Sequence, residues 1–198
     1  MGDLDAGAGA TEATASAPAA QLDWRPALDE PELLAPSVAA ALRAWVRVEP
    51  AVASEALVAR IDPGLADTAT LTAAFDLEPE VSCNCVLVTG RRSGEERLAG
   101  LVVRATTRAD VNNAVRRLLD VRKATFLPVE RATAETQMEY GGITPAGLPA
   151  TFRVLIDARV RDGGAALIGS GLRRSKLLVP GELLARFPGA EVVEGLAS

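Results

Sequence analysis

Apolar and polar positions follow two rhythms along this chain, one typical of strands and one typical of helices. Two nearly continuous apolar runs, at 83–89 and 98–106, flank a polar turn at 90–94 and predict a β-hairpin with a longer loop. Because both runs are apolar on both faces, we expect central strands that are covered on each side. Shorter apolar runs predict further strands at 55–61, 123–127, 153–158, 165–169, 176–179 and 190–193.

The clearest helix follows the hairpin, where apolar residues recur at the spacing of one helical face: Val111, Ala114, Val115, Leu118 and Leu119. The segment 107–110 is similar to a capping box with Asp in place of Glu, so we expect the helix to begin there. Further helices are predicted at 31–46 in two pieces divided by Pro36, at 67–75, from Pro128 to about 138 with Gly141 or Gly142 ending it, and at 180–185.

These elements together predict an α+β (α/β) domain in which helices pack on a mixed sheet of short strands. Residues 1–20 are small or acidic and offer almost nothing large to bury, so they predict a disordered tail. Residues 21–59 are assigned to an N-terminal helical extension, and residues 60–198 to the main domain.

Charge and hydropathy exclude several classes of function. The formal net charge of −5 argues against a general nucleic-acid coat protein. No apolar run approaches the roughly 18–20 residues needed to cross a bilayer. The first residues lack the basic and apolar segments of a signal peptide, so the expected compartment is the cytoplasm.

The chain contains no histidine, so its chemistry must proceed without the usual general base and without histidine metal ligands. Cys83 and Cys85 are its two cysteines, and residues two apart on a strand share a face. With no second pair of ligands they make a poor zinc site. We expect buried, small apolar side chains and no metal or cofactor, with a redox role as the remaining alternative.

Two turns rich in glycine predict a functional pocket. The segment 140–147 contains three glycines and a proline, and a second turn, Gly169-Ser170-Gly171, follows two short strands. Glycine is used where the backbone takes a positive φ or closely approaches another group. The two turns therefore predict a pocket whose wall presents backbone amides.

The same residues carry a resemblance to a known family. Gly141-Gly142-Ile143-Thr144-Pro145 fits the Gly-x-x-x-Pro loop of the YbaK/EbsC family, and Leu155-Ile156-Asp157 and Gly169-Ser170-Gly171 follow in the family's order. Residues 60–195 thus resemble these aminoacyl-tRNA deacylases, whose fold also forms the editing domain inserted in bacterial prolyl-tRNA synthetases. The resemblance implies a mixed, partly barrel-like sheet with flanking helices.

The resemblance further implies hydrolysis of the ester that joins a mischarged amino acid to the 3′-adenosine of tRNA. A ribose hydroxyl of the substrate would help to position the attacking water, which requires no histidine. The chain would supply orientation and backbone N–H donors from 141–145 and 169–171, aimed at the carbonyl oxygen. The implied partners are the acceptor end of mischarged tRNA and an aminoacyl-tRNA synthetase.

One position departs from the family pattern. Many members carry a lysine at the start of the first core strand, where this chain has Asn84. Asparagine donates hydrogen bonds but brings no charge. Three alternatives follow: Asn84 positions the substrate itself, another cation such as Lys176 or Lys123 substitutes, or the protein binds its ligand without hydrolysing it.

Asp157 and the basic residues each allow a functional and a structural interpretation. Asp157 either orients the substrate or caps the next segment. Arg173, Arg174 and Lys176 follow the second glycine turn and either contact tRNA phosphate, as Lys123 would from another patch, or form a solvated edge. Two other functions compete with hydrolysis: a module that binds aminoacyl-tRNA or a nucleotide, and an interaction protein that recruits through its first 50 residues.

Overall fold

The structure is a computed structural model that describes residues 22–198, so the tail predicted at 1–20 lies outside the described residues. The helices and strands follow in this order: β1 (Arg25–Pro26), α1 (Pro36–Trp45), α2 (Val52–Glu55), β2 (Leu57–Arg60), α3 (Thr68–Phe75), β3 (Cys83–Arg92), β4 (Glu95–Arg104), α4 (Arg116–Leu118), β5 (Ala124–Phe126), α5 (Val129–Thr136), β6 (Phe152–Asp157), α6 (Ala158–Asp162), β7 (Ala165–Gly169), β8 (Ser175–Pro180), α7 (Gly181–Ala185) and β9 (Ala190–Val193).

The strands form two sheets. One has the order β1-β2-β8-β7, and the other has the order β5-β3-β4-β6-β9. Antiparallel pairs join β5 to β3 and β3 to β4, whereas β6 runs parallel to both β4 and β9. A parallel bridge between Ser82 and Leu167 links the two sheets beside the start of β3. The predicted mixed α/β fold is confirmed, and β3 and β4 occupy inner positions of their sheet as expected.

The hairpin turn is shorter than predicted. β3 and β4 are joined by Ser93 and Gly94 alone, with φ of 53° and 88°, which is the pattern of a two-residue turn with both φ values positive. The prediction of a longer loop was wrong because Gly90 lies within the strand. A β-carbon there would lie 2.6 Å from the Val121 side chain, so glycine permits close packing at this point.

Two helix boundaries also differ from the prediction. The helix after the hairpin begins with a π-helical turn at Val111–Val115, and Asp110 is its cap, accepting hydrogen bonds from the backbone N–H groups of Asn113 and Ala114. The capping box expected at 107–110 therefore does not form. α5 ends at Thr136, before either glycine, because Gln137 takes the left-handed conformation with φ of 57°.

The segment predicted as an N-terminal helical extension, 21–59, contributes β1 and β2 to the four-stranded sheet. Its apolar residues share one core with β4, β6, β7 and β8. Trp45 at the end of α1 packs edge-on against Phe187, with ring centroids 5.2 Å apart. The extension therefore supports the sheet from which part of the candidate site is built. Among residues 22–198, none of the helices is long and apolar enough to cross a membrane.

Candidate functional site

A cavity of about 240 Å³ opens where the start of β3 meets the first residues of β8 and the loop 137–151. Five of the predicted site residues line it: Asn84, Gly141, Ile143, Gly169 and Lys176. The wall also includes Asp67 and Thr68 at the start of α3, together with Tyr140. The two sheets and one helix thus converge on this cavity, which makes it the candidate site.

The two glycine turns form one wall because they interlock through their backbones. The N–H of Gly171 donates to the carbonyl oxygen of Gly142 at 2.7 Å. A β-carbon on Gly169 would lie 2.1 Å from that same oxygen, and one on Gly142 would lie 2.7 Å from the backbone of Leu172. Side chains at these positions would therefore force the turns apart, which explains the choice of glycine.

Two backbone donors remain available in this wall. The N–H groups of Gly141 and Ile143 donate to no other group among residues 22–198, whereas the N–H of Gly142 is bound to the Glu139 carbonyl. Thr144 is fully buried behind them, and Pro145 has no N–H to offer. Two residues that line the cavity, Gly141 and Ile143, thus carry main-chain N–H groups without a protein acceptor among the described residues.

Asn84 is oriented by a neighbouring side chain. The hydroxyl of Thr68 donates to the Asn84 Oδ1 across 3.0 Å, from the first turn of α3 to the start of β3. Because Oδ1 is occupied in this way, the amide NH₂ of Asn84 is the group left to bind a ligand. The site consequently has a neutral donor where the family resemblance places a charged one.

Lys176 brings a positive charge into the same cavity from β8. Its side chain is buried, and the ammonium donates to the carbonyl oxygens of Ala66 at 2.7 Å and Gly141 at 3.4 Å. Burial lowers the pKa of Lys176 to about 8, since Asp67 offsets only part of the cost of desolvation and Arg173 adds to it. Both hydrogen-bond partners are neutral, so the charge of this lysine is not cancelled by an ion pair.

The predicted tRNA-binding arginines also have structural contacts. The guanidinium of Arg173 donates to the carbonyl oxygens of Tyr140 and Pro63, at 2.9 and 3.1 Å, and so ties the glycine loop to the segment before α3. Arg174 is exposed and donates to the carbonyl oxygen of Glu32 at 2.8 Å. Arg173 therefore shapes the rim of the cavity, and Arg174 lies at the surface beside it.

Nine of the fourteen predicted site residues do not line the cavity, and Asp157, Ser170 and Lys123 are among them. Asp157 is buried at the start of α6, where its carboxylate accepts from the N–H groups of Arg159 and Ala197 at 2.9 and 2.8 Å. Ser170 is buried within its turn, and its hydroxyl contacts that of Ser175 at 2.8 Å. Lys123 lines a separate groove.

The two cysteines border the cavity but remain protonated thiols. Burial raises the pKa of Cys83 to about 11 and that of Cys85 to about 12. A thiol is a nucleophile only as its thiolate, so neither residue attacks a substrate at neutral pH. Among residues 22–198, no three acidic or sulfur side chains gather as a metal-binding group.

Sequence reasoning missed Asp67 and Thr68 as residues of the site, and it included Tyr140 only as the first residue of the segment 140–147. The sequence predicted only a helix over 67–75, and Asp67 occupies the cap position of α3 in the structure. A pair such as Asp-Thr before an apolar stretch is an ordinary helix start, so no local pattern marks it as functional. Thr68 of α3 reaches Asn84 at the start of β3 only when the chain has folded.

The chain is similar in sequence to a known protein family. The family model for the aminoacyl-tRNA editing domain matches residues 62–187, which is more than half of the chain. A search of curated proteins finds no match.

Similar solved structures show the same fold. A hypothetical protein, APE2540, superposes with a TM-score of 0.67 at 14% identity, covering 80% of this chain and 99% of its own. A protein described as a candidate trans-editing enzyme for prolyl-tRNA synthetase superposes with a TM-score of 0.64 at 16% identity, covering 81% and 97% respectively. At these identities the likeness establishes the architecture only.

Proposed function

The chain belongs to the aminoacyl-tRNA editing domain family, and from that premise we propose that it is a trans-acting deacylase for mischarged tRNA. One observation carries the proposal: a single cavity holds unpaired backbone donors, the amide of Asn84 and the ammonium of Lys176. These groups suit an ester whose carbonyl oxygen, ribose hydroxyl and phosphate all accept hydrogen bonds.

The reaction is hydrolysis of the aminoacyl ester. Water adds to the carbonyl carbon, the bond to the ribose 3′-oxygen breaks, and that oxygen leaves with a proton as the free hydroxyl of the tRNA. The N–H groups of Gly141 and Ile143 would donate to the oxygen that becomes negative in the tetrahedral intermediate. Backbone donors fixed by the interlocked glycine turns need no rearrangement when this charge develops.

Because the chain has no histidine, we assign the activation of water to positioning rather than to a histidine base. In this proposal the vicinal hydroxyl of the terminal ribose holds the attacking water, and the protein holds the ribose. Covalent catalysis by Cys83 or Cys85 is disfavoured because burial keeps both thiols protonated. An aminoacyl ester is already activated, so orientation together with oxyanion stabilisation suffices as the contribution of the chain.

Asn84 and Lys176 would share the work of binding the tRNA end. The NH₂ group of Asn84 donates to the ribose hydroxyl, with its orientation set by Thr68. Lys176 supplies positive charge from the facing sheet and attracts the terminal phosphate. Lys176 in β8 would thus supply the positive charge that the family resemblance places at position 84.

Arg173, Arg174 and Lys123 are proposed contacts for the tRNA backbone outside the cavity. Each phosphate contact makes binding weaker at higher salt, because neutralising a phosphate releases counterions. Replacing Arg174, which is exposed beside the cavity, should therefore reduce the salt dependence of tRNA binding without abolishing turnover.

The decisive experiment measures the hydrolysis of a panel of mischarged tRNAs, including Ala-, Cys- and Ser-tRNA, by the wild type and by Asn84→Ala. Turnover of one member that is strongly reduced in the variant supports a deacylase that uses Asn84. Turnover that the substitution leaves unchanged would remove Asn84 from the mechanism.

A second function is favoured by the neutral residue at position 84. A module that binds aminoacyl-tRNA without cleaving it, alone or beside a synthetase, would retain the cavity while position 84 lacks the charge that the family resemblance implies. Tight binding of charged tRNA with no turnover across the panel would identify this module and reject the deacylase.

A further inference from the structure

The carboxylate of Asp67 has no assigned role in the proposed reaction, although it lines the cavity. Asp67 occupies the cap position of α3, yet its side chain makes no capping hydrogen bond. An aspartate at this position ordinarily accepts from the backbone N–H groups of the first helical turn. Here only the main-chain oxygen of Asp67 is bound, by Leu71 and Thr70, so the carboxylate remains available to a ligand.

Asp67 is also the one acidic side chain in this part of the cavity wall among residues 22–198. The neighbouring Glu139 accepts from the N–H of Arg173 at 2.6 Å and is thereby held at the rim. Lys176 hydrogen-bonds to carbonyl oxygens and not to Asp67. The cavity wall therefore carries a carboxylate and an ammonium that attract each other through space but make no ion-pair contact.

A ligand complementary to this arrangement carries one positive and one negative group. An aminoacyl nucleotide has both: the α-ammonium next to the ester carbonyl, and the phosphate beyond the ribose. We propose that Asp67 binds the α-ammonium and so restricts this site to esters with a free amino group, excluding N-acylated and peptidyl esters. This inference rests on the proposed deacylase function and adds to it a rule of substrate selection.

The physical basis of the selection is the loss of a charge-assisted hydrogen bond. A free α-ammonium donates to the carboxylate, and such bonds are about twice as strong as neutral ones. An N-acyl group replaces the ammonium by a neutral amide, which keeps one N–H donor but no charge. The acylated ester therefore loses the charge-assisted part of the bond, and it must also fit its added acyl group into the cavity.

The test compares one aminoacyl-tRNA that the wild type hydrolyses with the same tRNA after N-acetylation. The variants are Asp67→Asn, which keeps the size of the side chain, and the control Asp76→Asn, which removes a charge at the other end of α3. We expect kcat/KM for the free ester to fall about tenfold in Asp67→Asn, with the acetylated ester unaffected, so that the preference collapses. Asp76→Asn should retain the wild-type preference.

Equal rates for both esters in the wild type, or an equal loss for both in Asp67→Asn, would overturn the inference while leaving the deacylase intact. If no ester is hydrolysed, the proposed deacylase function is rejected, and a binding measurement tests the role of Asp67. The probe is then 3′-alanylamino-3′-deoxyadenosine, whose amide link resists hydrolysis, against its N-acetyl derivative. Tighter binding of the free amine that disappears in Asp67→Asn supports the inference, and equal binding rejects it.

Discussion

The ammonium of Lys176 lies 3.4 Å from the carbonyl oxygen of Gly141, which ties a buried charge of the four-stranded sheet to the glycine loop. The second contact, 2.7 Å to the carbonyl of Ala66, fixes the same ammonium beside the start of α3. A buried charge satisfied only by neutral carbonyls costs stability. The presence of Lys176 here, despite its cost to the stability of the fold, is consistent with a functional role for its positive charge.

The first prediction concerns this cost. Burial lowers the pKa of Lys176 from 10.5 to about 8, so between these values the unfolded chain binds the proton and the folded chain does not. Stability therefore rises with pH across this interval, by roughly 3 kcal/mol at most. Denaturant unfolding from pH 7 to 11 should show the wild type gaining stability relative to Lys176→Met. Parallel curves for the two proteins would contradict the burial of this charge.

The second prediction concerns activity at high pH. If the ammonium attracts the tRNA end, kcat/KM should fall as the pH rises through about 8, after subtraction of the uncatalysed hydrolysis. In Lys176→Met we expect lower activity at neutral pH and a shallower decline, since only the deprotonation of the substrate's own α-ammonium then remains in this pH range. A decline of the same form in both proteins would assign it to another group.

Much of the fold could be predicted because local pattern and final structure agree. The runs at 165–169 and 190–193 match β7 and β9 residue for residue. Apolar segments of this length between turn residues are too short for most helices and typically form strands. The helix after the hairpin began later than predicted because Asp110 outcompetes Thr107 as the cap. The π-helical turn at Val111–Val115 was not predicted either, because the spacing of apolar residues was compared only with that of an α-helix.

The site was harder to predict, since it depends on contacts between distant parts of the chain. The glycine loops were recognisable because close backbone approach requires glycine wherever it occurs. Lys176 lies in an apolar run, and no local rule indicates whether such a lysine reaches solvent or a cavity. The pairing of Thr68 with Asn84, 16 residues apart, exists only once α3 packs against β3.

The third prediction tests that pairing. Thr68→Val removes the hydroxyl that donates to Asn84 Oδ1 and leaves the side-chain volume nearly unchanged. A net contribution of about 1 kcal/mol for such a bond corresponds to a loss of about fivefold in kcat/KM, because the amide is no longer held in one orientation. Thr72→Val, in the same helix, is the matched control and should leave the rate unchanged. Equal rates for Thr68→Val and wild type would show that Asn84 is positioned without Thr68.

The fourth prediction concerns the interlocked turns. Gly169→Ala places a β-carbon 2.1 Å from the carbonyl oxygen of Gly142, so the two turns must separate. We expect a loss of about 1–3 kcal/mol in the free energy of unfolding. Turnover per folded molecule should fall as well, because the loop donors move. In Gly64→Ala the new β-carbon would be 3.1 Å from the carboxylate of Asp62, a flexible side chain, so this control should be far less affected. A Gly169→Ala protein as stable and active as the control would show that the turns tolerate separation.

The last prediction distinguishes the two interpretations of Asp157. Its carboxylate is 1% exposed; it caps α6 through the N–H of Arg159 and holds the segment around Ala197 through the N–H of that residue. Asp157→Ala leaves both donors without an acceptor, so the free energy of unfolding should fall by about 2–4 kcal/mol. Chemical denaturation measures this loss, and kinetics at a concentration corrected for the folded fraction measure the catalytic effect. Unchanged stability together with a large loss of kcat would instead assign Asp157 to the substrate. A structural cap predicts the opposite pattern, in which Asp157→Asn recovers part of the stability because its amide oxygen can still accept one of the two hydrogen bonds.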